Sequence, residues 1–433
     1  MKPGSGRILV LYSWPRLWSM GPGRGSPDFY LSLKSLAGRF ERVKVVCPTG
    51  EKTLDGLPGG IEAAGFGWPG GGRVIGTPSW LLKGKFKWVK KAIRACVFAV
   101  NWKIRFFSYL VFTIAAYRAG RRAATGLDPA IIAAYGYMAA PAGRLLAARL
   151  NVPLVIRLFG NSLGLKGFSL FAQAAQFEEA LAYRLSAERW VITNDGSCGD
   201  EAARRLGVPE SRVCCLLNGV DRPVPERLGK FDRGAYRRHL GLAPETRVLL
   251  RVCRLWSQQR VDRMIRLMPG KLPDGTPVAA VVAGQGPERE RLEQLAEKTG
   301  KKVIFTGALD HGQLTEHLCC ADLYIATSDR TNLSNSVLEA LCHGLPVVAL
   351  AAGRTGDVIS DGVNGRLLPL EEKGELCRVI EDLLAEEQSR SRMSRGALET
   401  AREKIPDFEQ RMRLEAAAVS LDDLPAVISN RSE

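Results

Sequence analysis

Residues 328–350, SDRTNLSNSVLEALCHGLPVVAL, decide how the chain reads. They divide into a polar loop, a helix carrying one acid, a Gly-Leu-Pro turn and a buried strand. Leu338, Leu341 and Leu345 recur at helical spacing, and residues 347–350 (VVAL) form a short apolar β-run. Ser334 or Asn335 is expected to cap the helix, because a side-chain oxygen there accepts N–H groups that the first turn leaves unpaired. A helix start that faces a crevice attracts anions, since its unpaired N–H groups and dipole favour negative charge. Glu339 stands one turn further in, where a carboxylate accepts hydrogen bonds from ribose hydroxyls. Together these features fit a nucleotide-diphosphate ligand.

Working outward, apolar β-runs and amphipathic helical stretches alternate. Residues 7–12 (RILVLY) are followed by the Gly/Pro-rich loop 20–27, a helical pattern over 28–39 and a second strand at 43–47. Strand, loop, helix, strand is the βαβ unit of an open parallel sheet. Further strands are expected at 130–135, 154–157 and 190–193. After a Pro-, Gly- and charge-rich stretch, NGVDRPVPERLGKFDR, the alternation restarts with strands at 248–252, 278–283, 303–305, 323–326 and 345–350. In open α/β sheets ligands sit beyond the C-terminal ends of the strands.

The chain has 433 residues, enough for two to three domains, and 46% of them are apolar, a globular composition. The net charge of +16 favours anionic partners. No motif that reads DNA or RNA is present, so nucleic acid is not an expected partner. The ten cysteines include no C-x-x-C pair. Neither a metal cluster nor a disulfide framework follows from them, and buried free thiols in a reducing cytoplasm are expected. No secretory signal is evident at the N-terminus.

Within 328–350 the pattern resembles the nucleotide-sugar motif of retaining GT-B glycosyltransferases, especially glycosyltransferase family 4 (glycosyl transferases group 1). The likeness extends along the later half. Arg251 to Leu255 resembles the family's "GRL" strand end, and Val282 to Arg289 its "G-x-G-P-x-R" turn. Val303, Phe305 and Gly307 match the next strand, and Asp361, Gly362, Asn364 and Gly365 a late "D-G-x-N-G" turn. In the earlier half the likeness is looser, and no histidine precedes His239. The resemblance implies two doubly wound Rossmann-like domains facing each other across a cleft. Residues 1–222 would be the acceptor-side domain, 223–246 a linker and 247–405 the nucleotide-sugar-binding domain. Residues 406–433 would be a C-terminal helix and tail packing back on the N-terminal domain.

The implied activity is transfer of a sugar, with retention, from a nucleotide-diphospho-sugar to a glycan or lipid-linked acceptor in cell-surface polysaccharide or glycolipid synthesis. The resemblance calls for no cofactor and no metal. It assigns Arg254, with Arg260 in place of a family lysine, to the departing diphosphate, although the alternative alignment puts Gln259 in the lysine slot. Glu339 would hold the ribose. Thr331, Asn332, Leu333 and Ser334 would face the β-phosphate and sugar, with Gly284 and Gly286 close to the ligand. Thr331 stands where the family has its first acid, which leaves Asp329 the nearest carboxylate. Gly23, Arg24 and Gly25, in the loop after the first strand, and Arg157, at a strand end, are further candidates for sugar or acceptor contact. The departures at Thr331 and Gln259 keep open a binding-only relative, and a nucleotide-sugar epimerase on the same fold is a third reading.

Residues 73–122 carry twelve Lys/Arg and no acid, with aromatics interleaved. Such a stretch fits an anionic membrane surface. Its uninterrupted apolar part, about 12 residues, is too short for a span, which needs ~20. Peripheral attachment at the cytoplasmic face is therefore expected, with an ordinary cleft-side helix pair, its charge facing water or an anionic acceptor, as the alternative.

Overall fold

The computed structural model describes residues 6–13, 27–48, 60–67, 87–161, 163, 168–223 and 231–422; within these, the side chains of 27–30 and 87–97 are left aside. Gly23, Arg24 and Gly25 lie outside the described residues. The chain forms two compact units. One comprises Met1–Thr193, Gly199–Leu216 and Met412–Glu433; the other comprises Asn194–Cys198 and Leu217–Arg411.

The first unit is built on strands β1 (Arg7–Tyr12), β2 (Arg42–Pro48), β3 (Ile61–Phe66), β4 (Ile131–Tyr135), β5 (Leu154–Leu158), β6 (Arg189–Asn194) and β7 (Val213–Leu217). They lie in the order β3-β2-β1-β4-β5-β6-β7, parallel from β3 through β6. Ile8 pairs with Val43 on one side and Ile131 on the other. With helices over both faces, a central strand is apolar throughout, and Ile8 to Tyr12 are accordingly buried. The helices are α1 (Pro27–Ala37), α2 (Lys87–Ala124), α3 (Ala140–Leu150), α4 (Leu170–Ala175), α5 (Phe177–Arg184) and α6 (Gly199–Arg205).

The second unit contains β8 (Arg247–Val252), β9 (Val278–Ala283), β10 (Lys302–Gly307), β11 (Leu323–Ala326), β12 (Val347–Leu350) and β13 (Gly365–Leu368). All run parallel, in the order β10-β9-β8-β11-β12-β13. Its helices are α7 (Arg233–His239), α8 (Val261–Leu267), α9 (Arg289–Thr299), α10 (His311–Cys320), α11 (Asn335–Cys342), α12 (Leu376–Ala385) and α13 (Glu387–Lys404). The last helix, α14 (Phe408–Val419), starts in the second unit and ends in the first. Both sheets are doubly wound and Rossmann-like, as in GT-B proteins.

The boundaries differ from the sequence expectation: residues 194–198 and 217–222 fall in the second unit, not in an N-terminal domain 1–222. Part of the expected linker 223–246 is helix α7, capped by Asp232, whose carboxylate accepts the Ala235 N–H. Arg237 and Arg233 of α7 donate to Asp322 at 2.8 and 3.0 Å, and Asp322 also accepts the Val248 N–H at the start of β8. A buried carboxylate with that many donors locks α7 to the sheet. Residues 87–124 form a single helix of 38 residues rather than a helix pair. Among the described residues, no helix is long and apolar enough to cross a membrane.

Candidate active site

Strand ends β8 and β9, the turn after β10 and the start of α11 enclose a cavity of about 1020 Å³ in the second unit. Its walls include Cys253, Arg254, Trp256, Gln259, Gly284, Gln285, Leu309, Leu314, Ser334, Asn335, Ser336 and Glu339. This is the C-terminal edge of the sheet, where ligands of open α/β folds collect.

The floor depends on two glycines. The β8 and β9 ends run backbone against backbone: the Cys253 N–H donates to Ala283 O and the Leu255 N–H to Gln285 O. Gly284 has φ +135°, and a Cβ there would collide with the Cys253 carbonyl; one on Gly286 would meet the Leu255 carbonyl. Only residues lacking Cβ permit this approach. Gly284 lines the cavity, while Gly286 supports it from behind.

At the start of α11 the expected cap is missing. Ser334 occupies the cap position but makes no side-chain bond to the first turn. Its hydroxyl meets that of Ser336, which donates to Val252 O and accepts from the Tyr324 phenol at 2.7 Å. Asn335 is turned outward and accepts from the Asn218 side chain. The serine and tyrosine hydroxyls thus anchor the helix start to the end of β8. The first-turn amides remain uncapped by side chains beside the cavity, the arrangement that suits an anion.

Glu339 lies one turn in and lines the same cavity. Burial, with a smaller contribution from the negative charge of Asp221, pushes its carboxyl up to about 7. Arg254 is exposed on the opposite wall, with no side-chain hydrogen bond or ion pair to any described residue.

The other sequence candidates are placed differently. Arg260 does not line the cavity; it has a left-handed backbone (φ 50°) and pairs with Asp262 at 3.1 Å and Asp329 at 2.8 Å. Asp329 also accepts Arg263 at 2.7 Å. Burial alone would raise the Asp329 carboxyl, but the bonds from Arg263 and Arg260 outweigh it and hold it below its ordinary value. Arg260 is thus held by two aspartates and Asp329 by two arginines. Of residues 331–334 only Ser334 reaches the cavity. Thr331 donates to Asp195 O, and Leu333 is core. The Asn332 side chain accepts the Ser328 N–H and donates to Leu350 O, stapling the loop to β12. Arg157, in the other unit, is buried and paired with Glu415 at 2.8 Å, so its charge is used inside the fold.

One contributor was visible only as a substitution in the family pattern. Gln259, which one of the two alignments puts in the lysine slot, lines the cavity. Its Oε1 accepts from buried Arg251 at 2.7 Å, which leaves its amide nitrogen as the remaining donor. Trp256, Leu309 and Leu314 supply apolar wall and carried no sequence signal beyond their place after a strand.

Residues 232–400 match the model of the family described as glycosyl transferases group 1. An uncharacterized glycosyltransferase of Methanocaldococcus jannaschii is 28% identical over 50% of this chain and 56% of its own length. Alpha-D-kanosaminyltransferase of Streptomyces kanamyceticus is 26% identical over 58% of this chain and 67% of its own. The chain thus spans little more than half of one relative and two thirds of the other. Among solved structures, Anabaena HepE in complex with UDP-glucose superposes with TM-score 0.61 at 19% identity, covering 95% of this chain and 98% of its own. The family match lies within the second unit, and the chain has the GT-B fold.

Proposed function

We propose that the protein is a retaining glycosyltransferase that moves a sugar from a nucleotide-diphospho-sugar to a glycan or lipid-linked acceptor. The observation that carries this is the convergence, on one cavity, of an uncapped helix start, an unpaired arginine and a half-buried carboxyl. Amides of Ser334–Ser336 and the Arg254 guanidinium would receive the diphosphate. Both stabilise the charge that develops on the leaving group more than the charge of the bound donor, which is what accelerates the step. The Gln259 amide, aimed by Arg251, would add a neutral donor where relatives carry a lysine. Glu339 would accept the ribose hydroxyls. No metal is required in this scheme. Similarity to enzymes that transfer sugars supports the reading. Kanosaminyl transfer by the Streptomyces relative and UDP-glucose bound to HepE support a nucleotide-sugar donor. A nucleotide-sugar donor favours a cytoplasmic site, with surface-polysaccharide or glycolipid synthesis as the setting.

The test is sugar transfer from a panel of UDP-, GDP- and ADP-sugars into a membrane extract. Turnover of at least one is expected; tight binding without turnover of any would favour the binding-only reading. Glu339→Ala is expected to weaken donor binding by about 10- to 150-fold, because a charged acceptor contributes ~1.5–3 kcal/mol. Unaltered binding in calorimetry would remove Glu339 from the site.

The pH dependence has a definite sign. The folded protein holds the Glu339 proton more tightly than an unfolded chain, whose carboxyl titrates near 4.5. Its contribution to apo stability therefore falls as pH rises from 4.5 toward 7. Ribose hydroxyls prefer the ionised acceptor, so affinity for an intact nucleotide sugar should rise between pH 6 and 8, with proton release near neutrality. Calorimetry in buffers of different ionisation enthalpy reads that release. Equal apparent enthalpies at pH 7 would contradict it.

A further inference from the structure

The first unit carries a surface that the donor reading does not use. On α2 the exposed side chains Val100, Phe106, Phe107, Leu110 and Ile114 repeat at helical spacing, with Lys103 among them. They form one stripe along the helix. Phe107 is 67% exposed. Beyond Ile114 the same stripe ends in exposed Arg118 and Arg121. From Val100 to Arg121 it runs about 30 Å at the α-helical rise.

A second element widens the stripe. Helix α4 presents Leu170 and Phe171, 83% and 70% exposed, and the Phe171 ring stacks on Phe98 of α2 with centroids 5.5 Å apart. The juxtaposition is held firmly. The Trp102 indole N–H donates to Ala174 O at 2.8 Å, and Arg105 donates to Ala175 O and pairs with Glu178. The aromatic patch is therefore a built surface rather than a few stray side chains. Among the described residues nothing covers it. Apolar patches of this kind mark interaction sites.

The charge on this face selects the occupant. Helix α2 has no Asp or Glu anywhere in its length, and Lys103, Arg118 and Arg121 lie within and at the end of the apolar stripe. A second copy of the same face would bring like charges together. A lipid surface would take the apolar side chains between acyl chains and leave Lys103, Arg118 and Arg121 at headgroup level. We infer that the face formed by α2 and α4 docks in the plane of a membrane containing anionic lipid, with Phe107, Leu170 and Phe171 as its inserting side chains. This goes beyond the donor site and stands without it.

Co-sedimentation with phosphatidylcholine vesicles, with and without phosphatidylglycerol, tests the inference. Wild type is expected to prefer the phosphatidylglycerol vesicles by about tenfold or more. Phe107→Glu with Phe171→Glu should lower that partition at least about tenfold, since two inserted rings are lost. Circular dichroism should be unchanged, because both rings are exposed. Arg118→Gln with Arg121→Gln should reduce the lipid preference and its salt dependence. The inference is overturned if wild type stays in the supernatant, if the Glu variant binds as wild type does, or if wild type dimerises and the variant does not. The last result would make a second copy the occupant.

Discussion

Gly284→Ala is expected to yield a protein destabilised by about 2–5 kcal/mol that no longer binds a nucleotide diphosphate. Two effects add. The φ of +135° is one that residues with a Cβ rarely adopt, and the new methyl would overlap the Cys253 carbonyl. Neither backbone yields easily, because the Gly284 N–H is bound to Gly307 O at 2.7 Å and the Cys253 N–H to Ala283 O. Relief must come from parting the ends of β8 and β9, the edges that carry Arg254 and Gln285 into the cavity. Gly275 is the control: its φ is +87°, yet a Cβ there meets nothing within 4 Å. Gly275→Ala should cost only about 1–2 kcal/mol and leave binding intact. Denaturant midpoints and nucleotide calorimetry on both variants separate backbone strain from collision. Equal losses would show that the close approach at Gly284 does not matter.

Removing the Glu415 carboxylate should cost about 3–5 kcal/mol, because it leaves the Arg157 guanidinium buried without its counter-charge. Both side chains are only 3% exposed. Glu415 also accepts the Ser32 hydroxyl at 2.8 Å, and burial, with a smaller contribution from the Glu415 charge, holds the nearby Tyr135 phenol protonated well above the usual range. Arg157 lies over the Phe159 ring, centroid 4.3 Å away. A joint replacement, Arg157→Met with Glu415→Leu, should be less damaging than Glu415→Ala, since apolar groups of similar volume need no partner. Thermal unfolding of the three proteins decides the matter. A loss below about 1 kcal/mol for Glu415→Ala would mean the pair is not the structural element described, and would return Arg157 to the substrate candidates.

What the sequence made legible follows from which forces act locally. The runs RILVLY and VVAL announce central strands because both faces of a parallel sheet are covered. β3, IEAAGF, lies at the sheet edge, holds one acid and a glycine, and was not foreseen. Helix α7, RGAYRRH, has no apolar stripe; it is held by Asp322, which is distant in sequence, and reads as linker until that carboxylate is placed. The place of Glu339 beside the cavity was legible because helical spacing alone sets it one turn from the uncapped helix start. The choice between Gln259 and Arg260 was not. A single left-handed residue at Arg260 turns the chain so that the glutamine faces the cavity and the arginine faces two aspartates. Asn332 has the residue type of a ligand contact, yet its side chain closes its own loop and ties it to β12.

The route of the chain between the units has a consequence for dissecting the protein genetically. Residues 194–198 belong to the second unit although the first resumes immediately after them, and residues 412–433 return to the first. The Asp195 carbonyl accepts Thr331, and the Gly196 carbonyl accepts the Arg354 N–H. A gene fragment cut at 217 would deprive the second unit of both acceptors, and one ending at 405 would strip Arg157 of Glu415. No single cleavage of the chain separates the two units intact.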